Sequence, residues 1–235
     1  MTEGYIHSFQ SLGATDGPGI RFVVFMQGCN LRCGFCHNPD TWNCGEGSLY
    51  APKDVADKVE RYKSYFGKDG GITVSGGEPL LQAEFVKELF SLCKERGINT
   101  CLDTSGSIIN DDVLSLLDVC DRVLLDIKFT GEEKYREYVG CSMQKPLEFL
   151  EILESKNIPT WLRQVIVPTV SDDENNIKAL RDIAKGHPCV EKVELLPFRK
   201  ICKAKYDNLG IEFPFEKYDV PNKETMTKLN EILLN

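Results

Sequence analysis

GITVSGGEPLLQAEFVKELFSLCKERGINTCLDTSG, residues 71–106, carries the pattern that decides the fold. GITVS (71–75) is short, apolar and β-branched, as a buried strand is. QAEFVKELFSLCKERG (82–97) changes period: Phe85, Leu89, Leu92 and Cys93 recur at helical spacing and form one apolar stripe. Gly97 stands where a helix C-cap takes a left-handed residue. NTCLD (99–103) then reads as a strand again. Strand, helix and strand in so short a span predict two parallel strands joined by a helical crossover.

The same unit repeats outward. RFVVFMQ (21–27), RVLLDIK (122–128), WLRQVIV (161–167) and KVELLPF (192–198) are further strand candidates, with helical patterns at 51–67, 111–120, 145–157, 173–186 and 223–235. Neither a long linker nor an internal sequence repeat interrupts them, so residues 1–235 are expected to form a single domain. Six alternating units argue for an α/β fold with a parallel sheet and are too few for a complete eight-fold barrel. The choice lies between an open doubly wound sheet and a partial (β/α)6 TIM-like barrel. In both, ligands bind beyond the carboxyl ends of the strands.

Bulk composition narrows the class. The chain has 235 residues, 42% of them hydrophobic, which suffices for a sizeable core. A net charge of −8 without a basic run argues against a nucleic-acid partner. No apolar stretch reaches membrane-span length, and the N-terminus lacks the regions of a secretory signal, so a cytoplasmic protein without a membrane partner is expected. Of ten cysteines, seven are scattered singly and read as free thiols of a reducing compartment.

Polar residues gather at the strand exits. After the second strand candidate come Ser75, Gly76, Gly77, Glu78 and Pro79; the third ends in Asp103, Thr104, Ser105 and Gly106; the fourth carries Asp126 and Lys128. The fifth carries Arg163, and Arg199 follows the sixth. Taken singly, Gly-Gly is a turn, an aspartate a helix cap and Lys128 a solvated rim residue. Recurrence at one end of the strands points to a shared site.

The first exit is the most pointed: MQGCNLRCGFCHNPDTW (26–42) places Cys29, Cys33 and Cys36 within eight positions. Structural zinc wants four Cys or His ligands, usually as two paired knuckles, and no second CxxC exists. His37 adjoins Cys36 and would strain a shared site. A redox pair needs only two cysteines. A fully ligated ferredoxin-type cluster needs a fourth thiolate, for which Cys44 is the near candidate. The remaining reading is a [4Fe–4S] cluster on three thiolates, with one iron open to a small molecule.

CxxxCxxC in this strand–helix setting is the signature of the radical S-adenosylmethionine superfamily, and the chain resembles its glycyl-radical-enzyme activase family. DGPGIR (16–21), GCNLRCGFCHNPDTW, SGGEPLLQAEF (75–85), CLDTSG (101–106), LLDIK (124–128), RQVIVPTVSDDE (163–174) and VELLPF (193–198) follow in family order over nearly the whole chain. No extra ferredoxin-like cysteine cluster follows the first motif, which favours the pyruvate formate-lyase branch.

The resemblance implies that Cys29, Cys33 and Cys36 hold the cluster, whose open iron takes the amine and carboxylate of S-adenosylmethionine. It implies reductive cleavage to a 5′-deoxyadenosyl radical and removal of a hydrogen atom from a glycine of the partner, pyruvate formate-lyase or another glycyl radical enzyme. Gly76, Gly77 and Glu78 are then expected at the methionyl group, and Phe35 and His37 near the adenine. Asp103, Thr104 and Asp126 are expected at a monovalent cation (Na+ or K+). Lys128 is expected to add positive charge close to the reaction, and Arg163 to orient cofactor or substrate. DGPGIR is the candidate surface for the incoming glycyl loop, and a flavodoxin or ferredoxin the implied reductant. Where the family can carry a histidine, Arg199 brings a permanent charge, so its role as a cofactor contact departs from the pattern. From a different class, a non-catalytic iron–sulfur electron carrier would need a fourth cysteine ligand and no Gly76-Gly77.

Overall fold

The structure, a computed structural model, describes residues 2–234. In chain order its strands are β1 (Gly4–Gly13), β2 (Arg21–Met26), β3 (Ser48–Tyr50), β4 (Gly71–Gly76), β5 (Asn99–Thr104), β6 (Arg122–Asp126), β7 (Thr160–Ile166) and β8 (Val190–Pro197). Its helices are α1 (Pro52–Glu60), α2 (Ala83–Glu95), α3 (Asp111–Leu117), α4 (Glu132–Val139), α5 (Gln144–Ser155), α6 (Glu174–Lys185), α7 (Lys203–Leu209) and α8 (Lys223–Leu234). Hydrogen bonds order the strands β3-β1-β2-β4-β5-β6-β7-β8, an open sheet. The six strands read from the sequence are β2 and β4 to β8, and β2 pairs β4, β4 pairs β5 and β7 pairs β8 in parallel. This is the expected α/β fold, with β1 added antiparallel beside β2 and β3 antiparallel on the outer side of β1.

The 71–106 unit forms as its pattern dictates. Ile72, Thr73 and Val74 are fully buried, the continuous run that a strand covered on both faces needs. Phe85, Val86, Leu89, Phe90 and Cys93 make the buried stripe of α2, which packs against α1 and α3. Gly97 adopts φ +66°, its N–H bonds the Lys94 carbonyl, and the Ile98 N–H bonds that of Cys93. This double bond satisfies two carbonyls that the helix end leaves open.

Several elements differ from the sequence reading. The helix expected over 51–67 stops at Glu60, followed by a 3-10 turn at Lys63–Tyr65. Helices α4 and α7 were not anticipated, because α4 buries only Tyr135 and Val139 and α7 only Tyr206. So few apolar positions give no readable period.

The chain divides into two compact units. The first comprises Met1–Asn30 and Thr41–Leu124, the second Leu31–Asp40 and Leu125–Asn235. In the first, Arg21 from the DGPGIR segment is fully buried at the start of β2. Its guanidinium donates to Thr73 Oγ1 (3.0 Å), Asn99 Oδ1 (2.8 Å) and the carbonyls of Asp69 (3.1 Å) and Ile72, so one side chain joins the starts of β2, β4 and β5. A lysine offers one compact ammonium where a planar fork now serves several acceptors. Arg21→Lys is therefore expected to cost about 2–4 kcal/mol through acceptors left buried and unpaired, read as a lowered Tm by circular dichroism.

Candidate active site

In the first unit, the parallel pairing of Met26 with Gly76 sends the chain out of β2 and β4 at the same end. There the two exits interlock. The Gly77 N–H donates to the Met26 carbonyl (2.9 Å) and the Glu78 N–H to that of Gly28 (2.8 Å). A Cβ on Gly76 would lie 2.3 Å from the Met26 nitrogen, and one on Gly77 2.1 Å from the Gly28 oxygen. The glycine pair is thus required by the close approach of the chain's own backbone beside Cys29, a constraint the sequence reading did not include. On the far side, the N–H groups of Gly28 and Cys29 donate to the carbonyls of Thr41 (2.8 Å) and Trp42 (3.2 Å).

Glu78 differs most from expectation. Its carboxylate is 1% exposed and accepts from Thr104 Oγ1 (2.5 Å), from both the hydroxyl and N–H of Ser105, and from the Leu80 N–H (3.2 Å). Burial pushes its pKa up, against the pull of the Ser105 and Thr104 hydrogen bonds. Four donors occupy this side chain, so it ties the Gly76-Gly77 loop to the exit of β5 rather than reaching for a cofactor. Thr104 is correspondingly engaged, and Asp103 Oδ2 accepts from Ser75 Oγ at 2.6 Å.

In the second unit lies the loop bearing Cys33 and Cys36, and helix α4 holds it. The N–H groups of Arg32 and Gly34 donate to the carbonyls of Val139 (3.3 Å) and Tyr138 (2.8 Å), which the helix end would otherwise leave unsatisfied. Tyr206 on α7 donates its hydroxyl to the Cys36 carbonyl (3.1 Å), and Lys205 bonds Asn38 and Asp40. His37 Nε2 donates to the Arg199 carbonyl at 2.9 Å, which puts the imidazole proton on that nitrogen. Burial keeps His37 below its ordinary range despite that bond, and Lys205 and Lys128 add to the effect. The Arg199 side chain itself is exposed.

Asp126, Lys128 and Arg163 form one cluster in this unit. Lys128 Nζ donates to Asp126 Oδ2 (2.5 Å) and Arg163 Nε to Oδ1 (3.2 Å). Burial alone would raise the Asp126 pKa, but the two cations hold it below the usual carboxylate range. Burial likewise opposes the charge on Lys128, yet Asp126, and next the charge of a Cys33 thiolate, keep it above the usual lysine range. The Lys128 N–H also donates to Tyr135 Oη at 3.3 Å.

Cys29, Cys33 and Cys36 are half-buried, and none of the ten cysteines is joined in a disulfide. The Asn38 N–H donates to Cys36 Sγ (3.3 Å), a contact that favours a thiolate ligand, and Lys128 supplies nearby positive charge to Cys33. These contacts favour thiolates at Cys36 and Cys33, the ligand form that an iron–sulfur cluster takes. Phe35 (3% exposed) turns inward, its ring 5.7 Å from those of Phe129 and Phe215.

The Radical SAM superfamily profile matches residues 23–180, two thirds of the chain, and that match runs through both units. The pyruvate formate-lyase 1-activating enzyme of Escherichia coli (strain K12) is 43% identical over 98% of this chain and 95% of its own. The chain belongs to the radical SAM superfamily, in the pyruvate formate-lyase-activating family. A second member, the pyruvate formate-lyase-activating enzyme of Listeria monocytogenes serovar 1/2a (strain ATCC BAA-679 / EGD-e), is 41% identical over 99% of this chain and 98% of its own. Among solved structures, Streptococcus suis SuiB bound to precursor peptide SuiA superposes with a TM-score of 0.72. That likeness covers 90% of this chain and 44% of SuiB at 17% identity, and it concerns the fold alone.

Ser75 and Ser105 stand among the polar strand exits of the sequence, whereas Tyr135, Tyr138, Tyr206 and Phe215 support the site without any sign there. Tyr138, Tyr206 and Phe215 act through a hydrogen bond or ring contact with a residue distant in the chain, and no local pattern announces that.

Proposed function

We propose that this chain activates pyruvate formate-lyase by installing a radical on a backbone glycine of that enzyme. The observation that carries the reading is similarity to such activating enzymes over nearly the full chain, together with three half-buried cysteines in the CxxxCxxC loop. When bound, a [4Fe–4S] cluster supplies the electron that cleaves S-adenosylmethionine, and the 5′-deoxyadenosyl radical so released takes the glycine hydrogen. Cys29, Cys33 and Cys36 would hold that cluster. The backbone of Gly76 and Gly77 would receive the methionyl amine, with Glu78 positioning the loop. Lys128 and Arg163 would hold positive charge by the reacting groups, oriented by Asp126, and His37 with the backbone of Phe35, whose ring is packed inward, would line the adenine side. The two units would work as one radical SAM domain.

A monovalent cation would draw on Asp103, Thr104 and Asp126. Among the described residues no group of three or more His, Cys, Asp or Glu side chains is gathered to hold a metal ion. Thr104 is bonded to Glu78, and Asp126 to Lys128 and Arg163, so the cation would have to share those bonds. Dependence of S-adenosylmethionine affinity on Na+ or K+ tests this. A flavodoxin or ferredoxin would supply electrons in the cytoplasm; no helix among the described residues is long and apolar enough to cross a membrane.

The deciding experiment mixes reduced, reconstituted protein, S-adenosylmethionine and pyruvate formate-lyase, and records the EPR spectrum. A glycyl radical signal is expected. Cleavage of the cofactor with a silent partner would leave the chemistry standing and overturn the choice of substrate.

A further inference from the structure

The second unit contains a contact that the reaction chemistry alone does not call for. Gly34, between Cys33 and Cys36, has no room for a side chain: a Cβ there would lie 2.4 Å from Cε1 and 2.6 Å from Cδ1 of Phe215. Phe215 belongs to the segment between α7 and α8 and is 2% exposed. Its ring centroid stands 5.7 Å from that of Phe35, 5.2 Å from Tyr138 and 4.8 Å from Tyr218. Tyr138 grips the same place twice, since its carbonyl accepts the Gly34 N–H while its ring meets Phe215 edge-on. One ring therefore bears on Gly34 and Phe35, the two residues between the second and third thiols.

We infer that Phe215 is a positioning residue that interlocks with Gly34 and covers the Cys33–Cys36 loop, so that retention of the cluster depends on the segment between α7 and α8. The inference rests on the proposed role of the three thiols. A rigid apolar cover limits access of water and chelator to thiolate ligands, and it fixes the loop without supplying a ligand. It also makes the two positions a matched pair. A side chain at 34 is tolerated only if the one at 215 withdraws.

The test uses the full chain, with two readouts. In anaerobically reconstituted protein, iron loss to a ferrous chelator is followed by absorbance. In apo protein, alkylation of Cys33 and Cys36 is followed by peptide mass spectrometry. Phe215→Ala is expected to speed both by tenfold or more, and Phe215→Leu by less. Phe149→Ala on α5, an equally buried phenylalanine, controls for general destabilisation and is expected to change neither. Gly34→Leu is expected to lose iron fastest, and Gly34→Leu/Phe215→Leu to recover most of the wild-type retention. Unchanged rates in Phe215→Ala, or a double variant no better than Gly34→Leu, would overturn the interlock. If wild-type protein takes up no cluster yet Phe215→Ala still exposes the two thiols to alkylation, the proposed function falls and the interlock stands.

Discussion

Cys33→Ala is expected to leave the protein unable to assemble its cluster, while Cys44→Ala behaves as wild type. The two cysteines are separated by environment. Cys33 is half-buried in a loop whose backbone is held by the end of α4, and the charge on Lys128 favours its thiolate. Cys44 is exposed, and its sulfur would lie 3.1 Å from a Cβ on Gly28, packed against backbone. Iron and sulfide content after anaerobic reconstitution, together with 5′-deoxyadenosine formed from S-adenosylmethionine, read the difference. Cys33→Ala should give little of either and no 5′-deoxyadenosine. Loss of the cluster in Cys44→Ala would instead make Cys44 a fourth ligand, leave no open iron, and turn the reading toward an electron carrier.

The contrast between these thiols also shows where sequence ran out. The CxxxCxxC spacing and the polar strand exits are local patterns, so Cys29, Gly76, Asp103 and Asp126 could be assigned to strand ends before any coordinates. Strands β2, β4 and β6 were legible for a similar reason: a strand buried on both faces must be a nearly continuous apolar run. What holds the residues in place was not legible. The resemblance puts Glu78 at the methionyl group, yet its carboxylate is engaged by Thr104 and Ser105, whose approach depends on the pairing of β4 with β5. Helix α4 is too charged to show a period, and its importance lies in two terminal carbonyls that no side-chain pattern encodes. Phe215 belongs to no periodic pattern of the sequence, and its meaning appears only with Gly34 beside it.

The second large effect is expected at Asp126. Asp126→Asn removes the one carboxylate to which both Lys128 Nζ and Arg163 Nε are bonded, on side chains that are 16% and 10% exposed. Losing one partner of a buried ionic group leaves uncompensated charge, which costs about 3–5 kcal/mol. For a chain of this length that corresponds to a fall in Tm on the order of 10 °C. The sign of the pH dependence follows from the depressed Asp126 pKa. Its contribution is fully present above the unfolded aspartate value of about 4 and disappears as pH falls through the lower folded value. Lys128, raised by the same pair, contributes below the unfolded lysine value of about 10.4 and loses that contribution as pH rises through its folded value. The gap in Tm between wild type and Asp126→Asn should therefore stay level from about pH 6 to pH 9, where all partners are charged. It should narrow on the acid side. A gap that widens in acid, or a Tm equal to wild type at neutral pH, would show that the cluster does not hold these cations. Asn keeps the size of the side chain and one acceptor, so the loss measured is that of the charge and of one of the two hydrogen bonds.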